Sequence, residues 1–209
     1  MPTPENILLF MGAALALNLT PGPDMLYVAA RSAGDGRTAG ILSALGVSVG
    51  LLFHLAALAL GLAALLAAVP LAYDVVRIAG AVYLLVLGLG LLLRPQRARA
   101  AERLPRSRLR AVFTQGVMTN VLNPKVALFF LAFLPQFVDP AAGPPVPQIV
   151  LLGLLFNVQG TLVNLAVAML AGRTAVWLRS GERRSAALQR LAGAVFVGLG
   201  LRLAIPDSR

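Results

Sequence analysis

Two ionisable side chains stand inside long apolar runs, and each closely follows a proline. Asp24 closes the string Thr20-Pro21-Gly22-Pro23-Asp24, and Lys125 closes Asn123-Pro124-Lys125. Proline inside a helix removes a hydrogen bond and crowds the carbonyl four residues earlier. Pro21, Pro23 and Pro124 would therefore strand the carbonyls of Leu17, Leu19 and Asn120. Each break also starts a new half-helix well. Thr20 and Asn123 are suited to the N-cap, with a proline next, the type favoured at the first helical position. A half-helix opening in mid-run presents free N–H groups and a partial positive charge, a place for a carboxylate. Gly22 would let a ligand approach the backbone. The candidate binding set is Asn18, Thr20, Pro21, Gly22, Pro23, Asp24, Asn120, Asn123, Pro124 and Lys125.

Each charged residue has more than one reading. Asp24, in a helix's first turn, can complement the helix dipole or hold a cationic amino group or a proton. Lys125 is a cation at the positive end of a helix, so it needs Asp24, a substrate anion or a route to the interface. His54, near the middle of the second apolar run, is either a packing residue or a proton relay, its pKa suiting physiological pH. Asn157, Thr161 and Asn164 fall on one face of the fifth run, where bonds between helices or contact with substrate would explain them. Gln159 points away from that face and receives no role.

The elements that must carry these residues are membrane helices. Of 209 residues 58% are hydrophobic and 12% charged, about half the charge of a soluble domain. A span needs about 20 apolar residues, and the runs fall near 7–30, 40–67, 73–93, 112–135, 148–171 and 186–205. Runs two, three, five and six read as continuous helices, and Gly46 and Gly50 have the GxxxG spacing of close helix packing. The net charge of +10 lies mostly in short loops, which argues against a water-facing patch for nucleic acid. No cysteine and one histidine exclude disulfides, Cys-ligated metal and multi-His metal sites. The N-terminus carries no Lys or Arg, unlike a cleavable signal, so its apolar stretch reads as a retained helix.

Basic residues collect on the cytoplasmic side. Arg31 and Arg37 follow the first run, seven arginines fill residues 94–110, and Arg173, Arg179, Arg183 and Arg184 follow the fifth run. These loops are expected to be cytoplasmic and both termini outside, although Arg202 and Arg209 pull the other way.

The chain also repeats itself. Ile78-Ala79-Gly80-Ala81-Val82-Tyr83 is similar to Leu191-Ala192-Gly193-Ala194-Val195-Phe196, and Pro21 to His54 spans 33 residues, as does Pro124 to Asn157. The expected fold is an all-α integral membrane protein with six transmembrane helices, built as two inverted three-helix repeats, with helices 1 and 4 broken at prolines. One transporter domain would cover 1–209: repeat one about 1–93, a basic cytoplasmic loop at 94–110, and repeat two about 111–209.

The strings Asn18-Leu19-Thr20-Pro21-Gly22-Pro23-Asp24, Gly36-Arg37-Thr38-Ala39-Gly40 and Asn123-Pro124-Lys125-Val126-Ala127-Leu128-Phe129-Phe130-Leu131-Ala132-Phe133-Leu134-Pro135-Gln136-Phe137-Val138 resemble the lysine exporter (LysE/RhtB) family. The resemblance extends along nearly the whole chain. It implies export of an amino acid or close derivative from the cytoplasm across the plasma membrane, driven by the proton gradient. Alternating access around a midplane site suits the broken helices. A cation exporter of related architecture is the rival, though a hard cation wants six or more oxygens. An intramembrane enzyme would need a nucleophile–base pair or metal cluster, which the runs lack. No cofactor is expected. The expected partners are an amino acid, protons and membrane lipid, with a second copy in a homodimer as an open alternative to a monomer.

Overall fold

A computed structural model describes residues 1–68, 72–93, 108–170 and 182–204. Among these residues the fold is helical, with no strand. The elements are α1 (Pro4–Leu19), α2 (Pro23–Asp35), α3 (Arg37–Ala68), α4 (Ala72–Leu93), α5 (Leu109–Val121), α6 (Pro124–Ala132), 3-10 turns at Leu134–Phe137 and Pro140–Ala142, α7 (Pro145–Met169) and α8 (Glu182–Ala204).

The boundaries follow local chemistry. Thr3 caps α1 by accepting from the N–H of Asn6, and Pro4 takes a position where its missing N–H costs little. Between α2 and α3 the chain turns at Gly36 with φ 92°, a left-handed conformation that side chains with a Cβ disfavour. Gln148, buried near the start of α7, bonds to the N–H and C=O of Asp139 and to the carbonyl of Gly143, fixing the turn after α6.

Two helices, within Arg37–Gly61 and Pro145–Met169, are each long and apolar enough to cross a bilayer. Two bent pairs pass the same test together: α1 with α2, bent by 51°, and α5 with the stretch Pro124–Phe137, bent by 47°. These bends sit at the proline strings. The described residues thus hold two to four candidate spans, with α3 and α7 unbroken as expected.

Small residues bring the helices together. A Cβ on Gly46 would run into the carbonyl oxygen of Phe113, and one on Gly50 would lie 2.6 Å from that of Val117, so α3 and α5 touch backbone to backbone. Gly88 on α4 and Gly193 on α8 are matched the same way, each added Cβ meeting the other's carbonyl at 2.7 Å. Gly193 belongs to the repeated segment, so that segment is a packing surface. Lipid tails offer helices no hydrophobic drive to associate, so such close approach and side-chain interdigitation hold the bundle. Phe10, Phe129, Phe133, Phe137, Phe156 and Phe196 form a packed aromatic group, with the Phe129–Phe133 ring centroids at 4.6 Å and Phe129–Phe156 at 4.7 Å.

One orientation signal changes meaning in the structure. Arg31, counted with a cytoplasmic loop, is a buried residue on α2, 3% exposed and paired with Asp35 at 2.9 Å. Its charge is neutralised within one helical turn, so it adds little to the loop count. Of the basic loop at 94–110, residues 94–107 lie outside the described residues, as do Arg173, Arg179 and Arg209.

Candidate functional site

At the first break, α1 ends with Thr20 as its C-cap. The Thr20 N–H reaches the carbonyls of Ala16 (3.2 Å) and Leu17 (3.1 Å), and its hydroxyl donates to Ala16. The N-cap of α2 is Gly22, in extended backbone with no side-chain cap. This corrects the expected capping role of Thr20. With two prolines, the second one, Pro23, takes the first helical position, and the cap is whatever residue precedes it. The second break matches expectation: Asn123 caps α6, its Oδ1 accepting from the Lys125 N–H at 3.0 Å, with Pro124 at the first position.

The stranded carbonyls are served across the breaks. Lys125, beside the second break, donates from Nζ to the carbonyls of Leu17 (2.9 Å) and Thr20 (2.8 Å) at the end of α1. His54 on α3 reaches the carbonyl of Asn120 at the end of α5 through Nε2, at 3.0 Å. A carbonyl only accepts, so Nε2 carries the proton in this arrangement. Leu17 and Asn120 are two of the three carbonyls that the proline positions single out.

Asp24 does not pair with Lys125; among the described residues no ion pair joins them. Asp24 Oδ2 instead accepts from Asn120 Nδ2 at 2.9 Å. Asp24 Oδ1 and Asn120 Oδ1 are both buried with no hydrogen-bond partner among the described residues. A buried unpaired acceptor costs about 1–3 kcal/mol, more for a charged group. Asp24 and Asn120 are joined by that bond and both line one cavity, so their unpaired oxygens are acceptors suited to an ammonium group, which brings three donors and a positive charge.

These groups border a cavity of about 50 Å³. Asn18, Thr20, Gly22 and Asp24 line it from the first break, and Asn120, Asn123 and Lys125 from the second. Asn157, Thr161 and Asn164 line it from α7. Pro21, Pro23 and Pro124 shape the breaks but do not line the cavity. His54 lies one hydrogen bond behind it.

Two polar residues at this site carried no usable signal in the sequence. Ser48 on α3 lines the cavity and donates to Asn157 Oδ1 at 3.0 Å. A lone serine in a membrane helix looks like any small packing residue. Gln159, assigned nothing, accepts from Asn18 Nδ2 at 3.3 Å and donates to the carbonyl of Met11 at 3.2 Å. The one-face test missed it because α7 meets α1 on a second side.

Toward the other end of α2 a polar fastening holds the helices. Arg31 donates to Gln115 Oε1 at 2.6 Å, the Tyr27 hydroxyl donates to the carbonyl of Val112 at 2.7 Å, and the Ser32 hydroxyl donates to the carbonyl of Ala168 at 2.5 Å. α2 is thereby tied to α5 and to the end of α7.

Sequence comparison gives the family of the chain that carries this cavity. The chain matches the family profile "LysE type translocator" over residues 15–207. It belongs to the LysE type translocator family. It is 34% identical over 192 residues to an uncharacterized membrane protein of Pseudomonas aeruginosa, covering 89% of this chain and 88% of that protein. It is 31% identical over 194 residues to a homoserine/homoserine lactone efflux protein of Salmonella typhimurium, and 30% identical over 194 residues to one of Salmonella typhi, with 90% of each chain covered. No solved structure matches. The LysE family chain is a membrane transporter and not an enzyme.

Proposed function

We propose that this chain is a secondary exporter of small amino acids, working by alternating access in the cytoplasmic membrane. α4 and α8 would complete six spans with α3, α7 and the two bent pairs, giving two inverted halves with both termini outside. The relatives named as homoserine/homoserine lactone efflux proteins support an amino acid or close derivative as cargo. The observation that carries the reading is the unpaired acceptor pair of Asp24 Oδ1 and Asn120 Oδ1 beside a cavity formed at two helix breaks. The substrate's ammonium group would bind there. Its carboxylate would meet the uncapped start of α2 at Gly22 and the remaining N–H of Lys125, two of whose donors already serve carbonyls. Asp24 is the one acid lining the cavity among the described residues, a poor match to the six or more oxygens of a hard cation.

Export would require one end of the cavity to open at a time. The Arg31–Gln115, Tyr27–Val112 and Ser32–Ala168 bonds are contacts that opening that end would break. Proton coupling fits a carboxylate that is free to take a proton once the ammonium has left. Proteoliposomes loaded with labelled homoserine test the reading: efflux should be carrier-dependent and should accelerate with an inward proton gradient. Absence of efflux for every amino acid tried would refute it.

A further inference from the structure

The far wall of the cavity, on α7, is built differently from the Asp24 wall, and the difference bears on which amino acids fit. Asn157 is 8% exposed and lines the cavity. Its Oδ1 accepts from two hydroxyls, Ser48 at 3.0 Å and Thr161 at 3.4 Å. Its Nδ2 has no partner among the described residues. Asn164, two turns along the same face and 9% exposed, also lines the cavity, and none of its side-chain atoms has a partner among the described residues. Unspent amide groups in so small a space suit a polar ligand, and the one acid that lines the cavity among the described residues, Asp24, comes from α2 and not from α7.

We infer that Asn157, held by Ser48 and Thr161, is a specificity-determining residue that reads a hydroxyl or similar neutral oxygen on the substrate's side chain. This rests on the proposed amino acid export. A hydroxyl both donates and accepts, so it suits the amide whichever of its two atoms faces the cavity. A site built to hydrogen-bond a substrate hydroxyl discriminates against the analogue lacking it, because its own polar groups are then left unpaired. A cationic side chain finds no counter-charge on this wall and stands in the same cavity as the Lys125 ammonium. The preferred cargo is therefore a small neutral amino acid with a side-chain hydroxyl. Its deoxy analogue and basic amino acids are disfavoured.

The test uses the full chain in proteoliposomes, with labelled homoserine, 2-aminobutyrate (the same skeleton without the hydroxyl) and lysine. Wild type should favour homoserine over 2-aminobutyrate by about tenfold or more in kcat/KM, the size of one hydrogen bond left unmade. Lysine should move more slowly still. Asn157→Ala should raise the KM for homoserine about tenfold and bring the homoserine to 2-aminobutyrate ratio of kcat/KM toward one, with the amount of inserted protein and its thermal midpoint as the controls for folding. Asn157→Ser, which keeps a short hydrogen-bonding group, should fall between. Equal transport of homoserine and 2-aminobutyrate by wild type would overturn the assignment, as would lysine transport matching homoserine. Parallel loss of both neutral substrates in Asn157→Ala and Asn157→Ser would also overturn it, by showing a purely structural role. If wild type moves other amino acids but neither of these neutral probes, the specificity assignment fails alone. If it moves no amino acid, the export reading fails with it.

Discussion

The two helix breaks face the same problem and solve it with different donors. At the first, Lys125 supplies two carbonyls, Leu17 and Thr20, and brings a full charge. At the second, His54 supplies one carbonyl, Asn120, which also accepts from the N–H of Asn123. Each donor comes from the opposite half of the chain, so neither break is complete by itself. A bilayer offers no water to a stranded carbonyl, so the donor must come from the protein or from a wet cavity. The caps differ as well. Asn123 caps α6 with its side chain, whereas Gly22 leaves the start of α2 open. The first break is thus the more dependent on a distant residue and the more accessible to a ligand.

This contrast predicts a ranking of defects. Lys125→Ala should be the most damaging, because it leaves the Thr20 carbonyl without the Lys125 bond and takes a second donor from Leu17. A loss of about 2–4 kcal/mol in stability is expected, with export below about one-hundredth of wild type, measured against the amount of inserted protein. Lys125→Arg keeps the charge but changes its shape, and should recover only part. If Lys125→Ala exports normally, the first break does not rely on it.

His54→Ala should cost less, about 1–2 kcal/mol, since the Asn120 carbonyl keeps its bond from Asn123. His54→Gln, which retains an N–H donor, should restore most of the export. A result in which Gln is as poor as Ala while stability is normal would point to proton transfer by the imidazole instead. Asn123→Ala should be the mildest of the three. Loss of an N-cap costs about 1 kcal/mol, visible as a lower thermal midpoint in detergent with export reduced a few-fold. A defect larger than that of Lys125→Ala would reverse the ranking and the account of the first break.

Much of this arrangement was legible in the sequence because proline and glycine act through the backbone. Pro21, Pro23 and Pro124 announced the breaks and the carbonyls of Leu17 and Asn120 that needed help. Asn157, Thr161 and Asn164 announced a polar face through helical spacing alone. The donors that answer those carbonyls were not legible as such. Lys125 looked like a partner for Asp24 or for a substrate anion because charge suggests charge, and only tertiary packing shows its Nζ turned to the end of α1. Thr20 looked like a cap because its residue type is right, yet the second proline moved the helix start beyond it. Ser48 and Gln159 were invisible for a different reason: their partners, Asn157 and Asn18, lie on other helices, and single-helix periodicity carries no information about that.

The central claim is that the two charges beside the helix breaks do separate work, Lys125 completing a helix break and Asp24 binding the substrate's ammonium group with Asn120. Counterflow of labelled homoserine through Asp24→Asn, Lys125→Met and the double variant, each normalised to protein in the bilayer, tests this most directly. The account predicts that all three fall below about one-hundredth of wild type, with the double variant no better than either single one. Recovery in the double variant would mean that the charges exist to neutralise each other, and wild-type counterflow through Asp24→Asn would remove the carboxylate from the binding site altogether.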